Sequence, residues 1–271
     1  MTRWVDTHGH LHLRARGEGR EGDGTRDPSV GALGEDEPAT LLRRAAAVGV
    51  EWMVNPGTDL ASSQESFRLA AQFPGVVFPT AGLHPHDAGH WPEQADAIAA
   101  LAVDAVAIGE CGLDFYRNLA TPEDQVVALR DQLRLAERLD KPVVVHCRDA
   151  FAEVHELVES TGSGPRTVLH CWTGGPRWTK RFIDLGVTFS FAGPIAFATG
   201  DTVRRGAAVA PPERTMVETD TPYLNPIDKG APNEPANVVK VGEALAGVWG
   251  MPVEQVAALT TATALRVFRG G

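Results

Sequence analysis

The sequence predicts an α/β protein folded as a (β/α)8 TIM barrel, with residues 1–271 forming one domain. Three observations support this. Short β-branched runs alternate eight times with longer helical patterns, as parallel βα units require. A chain of 271 residues suits one closed barrel. GxxxxGK[ST] does not occur, and the single GxGxxG match, GEGREG (17–22), lies in a charged, aperiodic stretch rather than between a strand and a helix, which weakens the commonest nucleotide-binding uses of the alternative, an open doubly wound sheet.

The first strand candidate is RWVDTH (3–8). It is followed by ARGEGREGDGTRDPSVGALGEDEP (15–38), whose Gly-rich, charged and aperiodic composition predicts a loop inserted at the mouth of the barrel. PATLLRRAAAV opens with Pro and reads as a helix, leading to the second strand, VEWMVNP (50–56). The helix SSQESFRLAAQF precedes the third strand, VVFPTAGLH (76–84), and AVAIGE (105–110) is the fourth. PEDQVVALRDQLRLAERL separates it from the fifth, PVVVHC (142–147), and AFAEVHELVES separates the fifth from the sixth, TVLHC (167–171). VTFSF (187–191) and TMVETD (215–220) complete the eight. A second loop, NPIDKGAPNEPANV (225–238), leads into a helix and then an extra C-terminal helix from Pro252.

Composition narrows the function classes. With 43% hydrophobic and 22% charged residues the chain can bury a full core. No apolar run is long enough to cross a bilayer and MTRWVDTHGH lacks an apolar signal core, so a cytoplasmic, soluble protein without a membrane partner is expected; oligomeric state is not read from the sequence, a monomer being favoured. Cys111, Cys147 and Cys171 have no framework spacing and should be reduced thiols. A net charge of −10 argues against holding nucleic acid through a general basic surface. Divalent cations bound in one site would reverse that sign locally.

The stretch VDTHGHL (5–11) sets two histidines one residue apart. In an extended strand His8 and His10 share a face, with Asp6 behind them, and such a pair can grip one ion; a polar strand edge would give the same pattern. What strengthens the metal reading is recurrence at predicted strand ends: His8 and His10 at the first, His84 at the third, Glu110 at the fourth, His146 at the fifth, His170 at the sixth, Glu218 and Asp220 at the eighth. A barrel gathers those ends into one ring. Taken singly, a strand-end histidine reads as a hydrogen-bonded core residue and Glu110 as a helix cap or an arginine partner. Gathered without a cation, so many buried polar groups would be costly. Cys111, Cys147 and Cys171 each follow one of these residues, so alternation turns their thiols away from the ring.

The ordered segments DTHGHL, LHP, IGECGLDFY, PVVVHCRDA, VLHCWTG and VETDTPYL resemble the signatures of the TatD-related metal-dependent hydrolases and deoxyribonucleases across nearly the whole chain. The resemblance implies an amidohydrolase-like barrel with a site for two divalent metal ions. It implies that His8, His10 and Asp220 hold one ion, that Glu110 bridges both, and that His146 and His170 hold the second. Zn²⁺ suits imidazole, while Mg²⁺ or Mn²⁺ suits phosphodiester chemistry. On this reading Asp220 and Glu110 are catalytic, with Asp220 orienting the attacking water, and His84 and Arg148 contact phosphate; a salt bridge to Asp149 or a helix carboxylate is the alternative for Arg148.

Three departures from the family pattern bear on substrate preference. His12 stands where an acidic residue is usual, either as another imidazole for the site or facing solvent. The insertion at 15–38 is long, and Lys229 and Asn233 in DKGAPNEP replace an Arg-Gly-Lys-x-Asn-x-Pro run. The expected activity is a deoxyribonuclease acting on DNA ends or single strands. The rival is a small-molecule amidohydrolase, lactonase or phosphoesterase on the same barrel, and a metal-stabilised binding protein stands third. Lys and Arg around the mouth would favour the nuclease, a closed apolar pocket the rival.

Overall fold

A computed structural model describes residues 2–15 and 37–270. Most of the predicted insertion at 15–38 lies outside the described residues. Among them, the strands form one parallel sheet in sequence order, β1 (Trp4–Asp6), β2 (Val50–Asn55), β3 (Val77–Ala81), β4 (Ala107–Asp114), β5 (Val143–Arg148), β6 (Thr167–Leu169), β7 (Thr188–Phe191) and β8 (Thr215–Val217). The ends meet: the Thr7 N–H donates to the Val217 carbonyl at 3.2 Å, and Gly9 bridges Thr221. The predicted barrel is therefore the fold, as nearly closed as a parallel sheet of short strands allows.

Helices α1 (Leu11–Ala15), α2 (Pro38–Ala47), α3 (Leu60–Gln72), α4 (Trp91–Ala102), α5 (Pro122–Leu139), α6 (Phe151–Ser160), α7 (Pro176–Asp184), α8 (Asp201–Ala207), α9 (Val238–Trp249) and α10 (Val253–Arg269) accompany the strands. Local chemistry starts several of them. Asp59 caps α3 by accepting the Ser62 N–H at 2.6 Å, and Thr121 caps α5 ahead of Pro122, where a missing N–H costs nothing. The last helix closes the N-terminal face: Ala264 and Phe268 of α10 share a buried cluster with Val5, Val54, Val144, Val168 and Met216, from five of the strands. With that face filled, the opposite end is left for a site.

The strands end earlier than the sequence predicted. β1, β3, β6 and β8 stop at Asp6, Ala81, Leu169 and Val217, so His8, His10, His84, His170 and Asp220 stand on the turns that leave the strands. β4 departs the other way and runs on to Asp114, past the predicted end at 110. Its pairing with β5 sets Ile108 opposite Val143 and Cys111 opposite Val145, three residues against two, which is a bulge. Ala107 packs with the inward cluster of Val5 and Val144, so unbroken alternation would turn Glu110 outward. The bulge resets the phase, and Gly109 (φ 123°) adopts a backbone that a side chain would resist.

Candidate metal centre

Glu110 sits at the centre of the C-terminal mouth, 3% exposed. Its backbone N–H donates to the Gly57 carbonyl at 2.6 Å, and the Thr80 hydroxyl donates to the Gly109 carbonyl, so β2 and β3 brace the bulge. The two carboxylate oxygens face different groups. Oε2 lies 3.2 Å from His8 Nε2 and 3.6 Å from His10 Nε2. Oε1 lies 3.0 Å from His170 Nε2, 3.3 Å from His146 Nδ1 and 3.4 Å from His84 Nε2. Asp220 Oδ1 closes the first group at 3.4 Å from His10 Nε2 and 3.8 Å from His8 Nε2.

These separations allow a test of whether the donors suit a cation. Ligands at about 2.1 Å around a tetrahedral ion lie roughly 3.4 Å from one another, so one ion could contact several of them at once. His8 and His10 Nε2 are 3.2 Å apart, as are His146 Nδ1 and His170 Nε2. Two nitrogens at that distance can share either a hydrogen bond or a common cation. The residues beyond the ring point the same way. Glu218 Oε1 lies 3.2 Å from His170 Nδ1 and can accept its remote N–H, and Asp114 Oδ2 lies 3.3 Å from His146 Nε2, a close approach without an aligned hydrogen bond; each ring presents its other nitrogen to the centre. Neutral imidazole and carboxylate donors of this kind suit a divalent cation.

Charge agrees with geometry. Burial pushes the Glu110 carboxyl up, but His170, His84 and His8 together hold it well below the ordinary carboxylate range. Burial likewise opposes ionisation of Asp220, yet the His10 hydrogen bond and the His170 and His8 imidazoles keep it below its usual value. Burial lowers His170 and His146, and their carboxylate partners outweigh it, raising both. His84 is pushed down to about 3 by burial, against the pull of Glu110, and is a neutral ring. Its Nδ1 accepts the His86 N–H at 3.2 Å, which leaves the ring proton on Nε2, aimed into the site.

All six residues predicted as ligands, His8, His10, Glu110, His146, His170 and Asp220, are brought to this one place. His84 joins them directly. Arg148 does not reach the cluster: it lies at the rim with its guanidinium 4.0 Å from the Tyr116 ring centroid, in place of the alternative pairing with Asp149. Asp6 is also off the ring. Its Oδ1 accepts the Thr219 N–H at 2.8 Å and its Oδ2 the Thr219 hydroxyl at 2.6 Å, binding β1 to the turn after β8, and burial raises its carboxyl to about 8. His12 is buried rather than solvent-facing; it meets His10 edge to face and lies 3.3 Å from Asn55. Cys111 and Cys147 are buried in the outer core as alternation requires, but Cys171 is not governed by alternation. β6 has ended and Cys171 has φ 42°; its backbone N–H donates to Glu218 Oε1 at 2.7 Å, and burial, then Asp220 and Glu218, push its thiol up.

Sequence reasoning missed Asp114, placed beyond the predicted end of β4, and His86, which meets it at 2.9 Å. An alternation count restarted at Glu110 marks Asp114 as sharing its face, and LHPH sets His86 two residues after His84. Glu218 was read as one of the strand-end carboxylates, but the structure sets it behind His170. Its Oε1 also accepts the Cys171 N–H at 2.7 Å.

Comparison with known proteins follows the geometry. The family described as TatD related DNase matches residues 5–269. A protein of Citrobacter koseri named 3'-5' ssDNA/RNA exonuclease TatD is 40% identical over 238 residues, covering 84% of this chain and 91% of that one. Its namesake in Salmonella typhimurium is 38% identical, with the same coverage. Among solved structures, a TatD homolog from Escherichia coli superposes with a TM-score of 0.82 at 24% identity, covering 99% of this chain and 98% of that one. A phosphotriesterase homology protein from Escherichia coli, complexed with phosphate in its active site, shares the fold at a TM-score of 0.68 and 14% identity, covering 97% and 98%.

Proposed function

Because the chain belongs to the TatD-related DNase family, we propose that it is a metal-dependent exonuclease that hydrolyses phosphodiester bonds at an end of single-stranded nucleic acid, DNA in particular. The observation that carries this reading is the two-sided carboxylate: Glu110 turns Oε2 to His8 and His10 and Oε1 to His146 and His170. On this reading His8, His10 and Asp220 would hold one divalent ion and His146 and His170 a second, with Glu110 serving both groups, and Zn²⁺, Mg²⁺ or Mn²⁺ as candidates. When bound, such ions acidify the attacking water and offset the charge of the phosphodiester.

The chain's own groups supply the rest. Asp220, kept ionised by its imidazole neighbours, orients the water and takes its proton as oxygen adds to phosphorus and the bond to the leaving oxygen breaks in line. Burial keeps His84 neutral, so Nε2 donates its hydrogen to a phosphate oxygen without carrying a charge that would repel cations. Arg148 brings fixed positive charge to the rim, where Arg117 and Lys229 also stand, over the rings of Tyr116 and Phe197. A basic rim suits nucleic acid better than the closed apolar pocket a small-molecule hydrolase would need.

The test is turnover of end-labelled single-stranded and duplex DNA, beside a panel of lactones and amides, by protein stripped and reloaded with single metals. Asp220→Asn should lose roughly 10²- to 10⁴-fold in turnover while keeping its melting temperature within a few degrees. Near-normal turnover in that variant, or wild-type protein that cleaves lactones and leaves DNA intact, would overturn the reading.

A further inference from the structure

The rim beside the cluster carries an aromatic ring that no fold requirement accounts for. Tyr116 follows β4 and is 60% exposed. A structural tyrosine would bury its ring; this one offers it to solvent and is nevertheless held in place. Asp114 Oδ1 accepts the backbone N–H groups of Tyr116 at 3.0 Å and Arg117 at 2.8 Å. The same carboxylate presents Oδ2 to His86 and His146, so the loop and the imidazole share one anchor. On the neighbouring strand Arg148 stands two residues beyond His146, on the same face by alternation and about 6.6 Å further along. Its guanidinium lies over the Tyr116 ring at 4.0 Å from the centroid. Ring and guanidinium thus form a flat, cationic edge immediately outside the histidines.

Such an edge fits a nucleobase with its phosphate. Resting on the nuclease reading, we propose that Tyr116, backed by Arg148, is a stacking platform for a base of a single-stranded substrate, fixing the strand so that a neighbouring phosphodiester lies over the cluster. The physical reasoning is that every base has a π-face, so stacking on tyrosine accepts any sequence, and Arg can stack on the ring while its N–H groups reach phosphate oxygens. A base paired within a duplex is already stacked on both faces and has none to offer. The platform therefore selects for unpaired ends without reading their sequence.

The test uses metal-loaded protein and two labelled oligothymidylates with hydrolysis-resistant phosphorothioate linkages, one intact and one abasic at its terminal nucleotides. Wild-type protein should bind the intact strand roughly tenfold more tightly than the abasic one, the size of one base–aromatic stack. Tyr116→Ala should abolish that preference, Tyr116→Phe should keep it, and on cleavable DNA the loss should fall on KM rather than kcat. Equal weakening on both strands would mark a structural role, and an undiminished preference in Tyr116→Ala would remove the platform; either outcome overturns the proposal. Its failure and that of the nuclease reading are separable. Wild-type protein that shows the base-dependent preference but cleaves no DNA keeps the platform and loses the nuclease, whereas normal DNA cleavage with no effect of Tyr116→Ala does the reverse.

Discussion

Glu218→Gln separates a carboxylate that supports a proposed metal ligand from one that contacts substrate. Glu218 is fully buried, and its Oε1 accepts two hydrogen bonds, from His170 Nδ1 at 3.2 Å and from the Cys171 N–H at 2.7 Å. Its Oε2 has no hydrogen-bond partner among the described residues. Glutamine keeps the shape and can still accept both bonds through its oxygen, but the charge is gone, and its amide must occupy the Oε2 position without an acceptor. A hydrogen bond to a charged group contributes about 1.5–3 kcal/mol, roughly twice a neutral one, so losing the charge costs about half of that at each bond. The share at the His170 bond, about 0.75–1.5 kcal/mol, falls on the orientation and basicity of that imidazole and predicts roughly 3- to 10-fold weaker metal binding, the other share falling on the Cys171 turn. Isothermal titration of stripped protein with Zn²⁺ measures it directly. At saturating metal the variant should recover turnover to within a few fold, because Glu218 lies behind His170. Unchanged metal affinity would show that the second carboxylate does not hold His170 for a cation; turnover that stays lost at saturating metal would place Glu218 in the chemistry.

Gly112→Ala should destabilise the fold by about 3 kcal/mol or more, because an added Cβ would lie 2.0 Å from the His146 carbonyl oxygen at a φ of +143°. Gly75→Ala, at φ +75° with open space around it, should cost only about 1 kcal/mol, so thermal melts of the two variants separate crowding from backbone conformation. Chelation should lower the melting temperature of metal-loaded protein by roughly 5–10 °C, reversibly on adding the ion back; an unchanged melt would argue against a tightly held cation. Cys147→Ser should retain most of its activity, since Cys147 is buried in the outer core and its neighbour His146 carries the donor; a well-folded but inactive variant would reverse that assignment of faces.

The barrel was legible because its signal is local. Each βα unit announces itself by a run such as VVVHC followed by an amphipathic stretch, and a parallel sheet buried on both faces leaves little choice in how eight such units close. The cluster of candidate donors was legible because imidazole and carboxylate are rare at buried strand ends without a purpose. Strand boundaries were less so. β6 was extended through His170 and Cys171, where the structure has a turn with Cys171 at φ 42°, so strand alternation does not govern that thiol.

By itself the sequence determined the eightfold alternation, the donor types and the end of the barrel at which they stand, since all three depend on residue identity and on periods of two and 3.6. Only the tertiary structure decided that Glu110 faces inward. That depends on a bulge defined against β5 and braced by Gly57 and Thr80, residues far off in sequence, and no single-strand pattern records a register between two strands. The same holds for the carboxylates behind the histidines and for Arg148 over Tyr116. Asp114 meets His146 and Glu218 meets His170 across separations of 32 and 48 residues, the first being 146 − 114, so these pairs exist only once β4 lies beside β5 and the ends of β6 and β8 converge across β7. Side-chain chemistry is written locally, whereas the direction in which a buried group points is fixed by the neighbours that crowd it.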